Sequence, residues 1–220
     1  MKSRFLVLVS SLVMLFYAAC GVAEVMSPIV RNEKLLSCNE AFETLTEISL
    51  SSDAKQITAA WNEAKAQHGV LAMLLDDAGK KKLDELLAAA SQSYMDKKYT
   101  ELSLAAAEIY KFVVMACDSA TLDIPAPVHL LDYHGFRSKA LLQGQPINWP
   151  TLIKNSAETR QEWLKVSNLV TDQKLLKSMN DAIDGMIKGA ASHDENLVKS
   201  ATEDELALVD KLEVSLKRKK

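Results

Sequence analysis

The sequence predicts an all-α protein, and three observations support this prediction. Residues with high helix propensity predominate, and the 220 residues contain only seven glycines and five prolines. Apolar residues recur at spacings of three and four from residue 32 onward, as on the buried face of a helix. Short polar breaks separate these stripes, so successive helices are expected to run antiparallel. We predict about eight helices, arranged as two tandem four-helix up-down bundles.

Residues 1–23 are predicted to form a removable secretory signal. Two basic residues precede an apolar run from Phe5 to Phe16, and small residues follow it. The run is too short for a membrane span of about 20 residues. Two processing sites remain open, because a signal peptidase could cut after Ala23, while Tyr17–Cys20 resembles a lipobox whose Cys20 would carry lipid. The predicted location is the bacterial periplasm or the inner leaflet of an outer membrane.

Residues 24–118 form the first predicted bundle. Its apolar stripes contain Leu35, Ile57, Leu83 and Leu102. Asp53 and Asp96 stand where N-caps are needed, since a short side-chain oxygen accepts a hydrogen bond from the first helical turn. The four apolar stripes therefore predict four helices in this bundle.

Residues 119–127 form the predicted linker, and residues 128–220 form the second bundle. Pro125 and Pro127 force an extended backbone in the linker. Beyond it, Asn148 and Asp172 are expected to cap helices, and a regular stripe runs from Leu175 to Ala190. The two halves resemble each other at a constant offset of 95 residues, which indicates an internal duplication.

Cys38 and Cys117 are predicted to form a disulfide. Both lie on apolar stripes, and the start of the first helix meets the end of the fourth in an up-down bundle. An exported protein reaches a compartment where the bond can persist. The alternative is that both thiols are buried as small apolar groups.

Composition and motifs exclude several classes of function. The formal net charge of −3 makes nucleic acid an unfavourable partner for an exported chain. No nucleophile, phosphate-loop or haem-attachment motif occurs, so we expect a protein that is not an enzyme and has no cofactor. His129 and Asp132 have a spacing that suits a metal, but two ligands on one helix do not make a metal site. No metal site is therefore predicted.

A segment after the linker is the predicted ligand site. It places aromatic and basic side chains close together in a chain with few aromatics, and Gly135 within it suggests close approach of another backbone or a ligand. A pocket for an organic anion is expected between the bundles, lined by Tyr133, His134, Phe136, Arg137 and Trp149. The alternative is that these residues only pack the bundles together.

Two hypotheses on function follow. The leading one is a non-enzymatic helical protein of the bacterial cell envelope that binds a partner protein or a small ligand. The alternative is a metal- or haem-binding four-helix protein, with ligands drawn from His68, His129, His134 and methionines on different helices.

Overall fold

The computed structural model describes residues 26–51 and 53–217, and all regular secondary structure in them is helical. The all-α prediction is therefore confirmed. The described helices are α1 (Pro28–Ile48), α2 (Ala54–Ala66), α3 (His68–Leu74), α4 (Asp77–Met95), α5 (Tyr99–Ala116), α6 (Ala126–Gln143), α7 (Trp149–Val166), α8 (Gln173–Ser192) and α9 (Glu195–Leu216). None of these described helices combines the length and the apolar character needed to cross a membrane. The predicted signal, residues 1–23 with Cys20, lies outside the described residues.

Most of the predicted helix caps are present. Asp53, Asn148 and Asp172 accept hydrogen bonds from backbone N–H groups of the following turn at 2.8–3.2 Å. The prediction for Asp96 is wrong, because this residue ends α4 and Lys98 precedes α5 without a side-chain cap. A short polar residue near a break can serve either neighbouring helix, so sequence position alone did not separate the two roles.

The helices pack in two groups joined by α5 and α6. In the first group α5 packs against α1 and α4, and α1 packs against α2. In the second, α6 packs against α7 and α9, and α8 packs against the same two helices. This arrangement is compatible with two tandem bundles. The short α3 is additional, and it follows α2 after Gln67 alone.

Helix positions are also compatible with the proposed duplication. Helix α7 begins 95 residues after α2, and α8 and α9 begin 96 residues after α4 and α5. The duplication itself stays a prediction, because amphipathic helices of similar length align easily. The connection between the groups spans residues 117–125, while Pro127 lies in the first turn of α6, where proline is tolerated.

Helix α6 is the central helix of the molecule. Thirteen of its 18 residues are buried, and the polar residues His129, Asp132, His134 and Ser138 are among them. Leu130 and Tyr133 complete the largest hydrophobic cluster, which the first group otherwise builds. On other faces of α6, Val128 and Leu131 join a cluster around Trp163 in the second group. The polar residues of α6 therefore lie where the two groups meet.

The predicted disulfide is wrong, because Cys38 and Cys117 are both free thiols. Asn32 near the start of α1 donates to the carbonyl of Asp118 at 2.8 Å, so Cys117 lies level with Asn32. Cys38 lies six residues further along α1, about 9 Å of helix, whereas a disulfide needs Cα atoms within about 7 Å. The Cys117 thiol donates instead to the carbonyl of Val113 at 3.5 Å.

Candidate metal centre

An acidic cleft lies between α1, α6 and α9. It encloses about 260 Å³. The side chains that line it are Leu36, Asn39, Glu40, Glu43, Tyr110, Ile124, His129, Asp132, Asp210 and Glu213. Five of these ten are carboxylates, and no lysine or arginine is among them. Since like charges held together in a partly dry site repel one another, the cleft favours a cation or bound protons.

Three possible metal ligands converge in this cleft. Ligand atoms of His129, Asp132 and Glu213 all lie within 4.8 Å of one another. His129 and Asp132 are three residues apart on α6, so they share one face of that helix. Helix α9 packs against this face and places a Glu213 carboxylate oxygen 3.3 Å from Nδ1 of His129. Helix packing thus adds a third ligand to the pair recognisable in the sequence.

Two buried polar atoms at the cleft have no hydrogen-bond partner among the described residues. These are Nε2 of His129 and Oδ1 of Asn39. His129 is only 8% exposed and Asn39 only 2% exposed, so bulk water does not readily satisfy either group. A buried polar atom without a partner costs about 1–3 kcal/mol. The unpartnered imidazole nitrogen is therefore a second observation, independent of the acidic cluster, that indicates a ligand.

Two of the cleft carboxylates, Glu43 and Asp132, hold their protons more tightly than usual. Burial, reinforced by the carboxylates of Glu213 and Glu47, raises the pKa of Glu43 to about 6. Burial also raises the pKa of Asp132 well above its ordinary value, and the nearby Glu205 and Glu213 add to the effect. A metal ion entering the cleft would compete with these protons.

A further carboxylate is buried beside Asp132. Glu205 of α9 is fully buried, neither of its carboxyl oxygens has a hydrogen-bond partner in the described part of the chain, and burial raises its pKa. It reaches this position because Gly135 on α6 has no side chain. A Cβ atom at residue 135 would lie 2.5 Å from both Oε2 of Glu205 and Cδ2 of Leu206. The close approach expected at Gly135 is therefore present, and it is made by α9.

The predicted ligand site is only partly assembled. The Tyr133 hydroxyl donates to a carboxylate oxygen of Glu108 at 2.6 Å, and Nε of Arg137 lies 3.7 Å from the same oxygen. Arg137 also lies 3.7 Å from a carboxylate oxygen of Glu158. Arg137 therefore faces two carboxylates, which reduces its attraction for an organic anion.

Beside this group, His134 belongs to a buried polar network. Its Nδ1 donates to Oδ1 of Asn155 at 2.8 Å, and the amide of Asn155 donates back to the His134 carbonyl at 2.8 Å. Burial lowers the pKa of His134, so this imidazole is neutral near pH 7. These contacts explain the position of His134 without a ligand.

Phe136 and Trp149 lie in other surroundings. Phe136 makes an edge-to-face contact with Tyr110, with ring centroids 6.0 Å apart. Trp149 stacks on His193 at 4.8 Å and packs against the cluster around Leu152. The structure thus groups Tyr133, His134 and Arg137 and places Trp149 in a different hydrophobic cluster. The organic-anion site stays a prediction.

The three histidines of the alternative hypothesis also separate. His68 lies 2.7 Å from Asp84 of α4, His134 bonds Asn155, and only His129 joins the carboxylate cluster. Sequence analysis missed Glu213 and Glu43, which lie 84 and 86 residues from His129. The one local signal was the spacing of His129 and Asp132, and nothing local identifies a carboxylate so far along the chain.

No family model, curated protein or solved structure matches this chain.

Proposed function

We propose that the protein is an exported binding protein whose ligand is a divalent metal ion, held in the cleft between α1, α6 and α9. The observation that carries this proposal is the convergence of His129, Asp132 and Glu213 within 4.8 Å. The buried, unpartnered Nε2 of His129 supports it. Export rests on the sequence of residues 1–23, which has the layout of a bacterial signal.

The donor set indicates the class of metal. One imidazole with carboxylates suits first-row divalent ions such as Mn²⁺, Fe²⁺ and Zn²⁺, whereas Mg²⁺ and Ca²⁺ sites are built from oxygen ligands. Glu43 lines the same cleft and supplies a further negative charge from α1. Three protein ligands leave coordination positions for water or a small molecule, and the cleft has space for them. The proposed function therefore remains the binding of a small ligand, and that ligand is the metal ion.

The test is a titration of the purified full-length chain with Zn²⁺ and Mn²⁺ by calorimetry at pH 7.5. We expect one ion per chain, and at least a 100-fold loss of affinity in His129→Ala, because losing a ligand should cost more than losing an outer-shell contact. His68→Ala is the matched control, since His68 also pairs with a carboxylate but begins α3, where it faces Asp84 of α4. Equal affinities for His129→Ala and the wild type would refute the proposed site.

Proton release gives a second readout of the same site. A cation that binds in the cleft displaces protons from its ligands and from carboxylates beside them, and the pKa of Glu43, which lines the cleft, is raised to about 6. Affinity should therefore fall as pH is lowered from 7.5 to 5.5, by up to about tenfold per pH unit for each proton displaced. Calorimetry in two buffers of different ionisation enthalpy counts these protons. A pH-independent affinity would argue against ligation by the cleft carboxylates.

A further inference from the structure

One end of the molecule carries a group of exposed apolar side chains. The start of α1 and the ends of α3 and α5 meet there, because Arg31 donates to the carbonyls of Leu74 at 2.8 Å and Ala116 at 2.9 Å. Six of the eleven large apolar side chains exposed in the described part of the chain belong to the three segments that meet at this junction. They are Met26, Ile29, Val30, Val70, Met73 and Met115. We call this group the apolar end.

Such clustering is not the usual distribution of exposed apolar residues. Single exposed apolar side chains are common on soluble proteins, but a contiguous group marks an interaction surface. Met73 is 78% exposed and Met115 is 63% exposed, so both present nearly whole side chains to the surroundings. Such exposure of apolar side chains indicates that another surface covers them.

The N-terminal segment of the chain joins the fold at the apolar end. Helix α1 begins at Pro28, and only seven residues separate it from Cys20. Seven residues span at most about 25 Å. A lipid on Cys20 is therefore tethered within about 25 Å of this surface, and the apolar run Phe5–Phe16, if it is retained, ends 12 residues before Pro28, a reach of at most about 45 Å.

The C-terminus emerges at the same end. Glu213 near the end of α9 lies 3.3 Å from His129 in the first turns of α6, and α6 starts beside the end of α5. Described residues stop at Lys217, and the sequence continues with Arg218, Lys219 and Lys220. Four consecutive basic residues complement anionic lipid headgroups. Helix α1 thus begins and helix α9 ends at the end of the molecule that carries the apolar surface, and the predicted signal and the basic residues adjoin these two helix ends in the sequence.

We propose that the apolar end rests on the surface of an anionic lipid bilayer. The exposed methionines and branched side chains contact the interfacial region, and the basic residues that follow α9 in the sequence favour anionic headgroups. Asp76 and Asp77 at the start of α4, and Glu213 near the end of α9, also lie toward this end. The contact made by the described residues is therefore apolar rather than electrostatic. The inference depends on export to an envelope membrane and not on metal binding.

The experiment places one new tryptophan near the end of α5, at Met115, and the other at Met95, which ends α4 close to the start of α5. Met115 and Met95 are matched in exposure at 63% and 62%, and the length of α5, about 25 Å, separates the levels at which they lie. Met115→Trp and Met95→Trp variants of the full-length chain are purified from the bacterial envelope. Each is reconstituted in phosphatidylcholine–phosphatidylglycerol vesicles with plain or brominated acyl chains, and the wild-type emission is subtracted.

Brominated lipid should at least halve the added emission of Met115→Trp and leave that of Met95→Trp unchanged. Equal quenching of the two variants, or no quenching of Met115→Trp, would overturn the proposal. A blue-shifted Met115→Trp emission without vesicles would also overturn it. Dependence of that shift on protein concentration would then indicate a second copy, and independence would indicate residues 5–16 of the same chain. Metal titration of the same samples reports separately on the cleft.

Discussion

Replacing Gly135 by alanine should destabilise the fold, although alanine is the better helix former. Gly135 lies inside α6, so helix propensity alone predicts a gain of about 1 kcal/mol. In the structure, however, the added Cβ would lie 2.5 Å from Oε2 of Glu205 and 2.7 Å from Cγ of Leu206. Real Cβ atoms essentially never show such distances, so the side chains of Glu205 and Leu206, or α9 as a whole, would have to move away from α6.

The magnitude follows from the balance of these effects. Overpacking a well-packed interior costs about 1–3 kcal/mol, and the fully buried Glu205 cannot turn into solvent to relieve it. After the gain in propensity, we expect a net loss of about 1 kcal/mol and at most about 2 kcal/mol, which lowers Tm by about 2–8 °C for a chain of this size. Because α9 carries Glu213, the same shift should weaken metal binding.

The assay is thermal and urea unfolding followed by circular dichroism, with Gly69→Ala as the control. Gly69 lies in the short α3, and nothing lies within 4 Å of a Cβ built there. This control should gain about 0.5–1 kcal/mol, through helix propensity and a less flexible unfolded chain. If Gly135→Ala were as stable as Gly69→Ala, the close approach of α9 to α6 would be refuted.

Two more predictions concern buried polar groups. Burial raises the pKa of Glu205 above its ordinary value of 4.5, so the folded state binds more protons and stability falls as pH rises above about 4.5. Glu205→Gln should remove this dependence on pH. The difference in the free energy of unfolding, variant minus wild type, should therefore rise by up to about 1.4 kcal/mol for each pH unit between pH 5 and 8, as measured by urea unfolding. A pH-independent difference would contradict the burial of this carboxyl. Asn155→Ala should lower the free energy of unfolding by about 2–4 kcal/mol, because Asn155 is fully buried and bonds both His134 and Ser138. Urea unfolding measures this loss, and Asn62→Ala, at an exposed asparagine, is the control. A loss below about 0.5 kcal/mol, similar to that of the control, would show that the network contributes little.

Features that depend on neighbours in sequence were predictable. Asp53, Asn148 and Asp172 cap helices as expected, because a cap acts within three residues of itself. Gly135 was expected to permit a close approach, since glycine is unfavourable inside a helix without such a reason. The identity of the approaching helix was not predictable.

Features that depend on how far one helix slides along another were not predictable. Cys38 and Cys117 lie on neighbouring antiparallel helices, as expected, but they are offset by about six residues along the helix axis. Periodicity identifies the helix face on which a residue lies, but it does not give the position of that residue along the axis relative to a neighbouring helix. The disulfide prediction was wrong for that reason.

The candidate metal centre shows the same division. The sequence by itself determined that the chain is helical, that His129 and Asp132 share one face of α6, and that carboxylates are abundant, because these follow from composition and from 3.6 residues per turn. Only the tertiary structure decided that Glu213, 84 residues away, would meet that pair. The physical reason is that the packing of α9 on α6 depends on side-chain volumes along the whole interface, including the missing side chain of Gly135, and no local pattern encodes that sum.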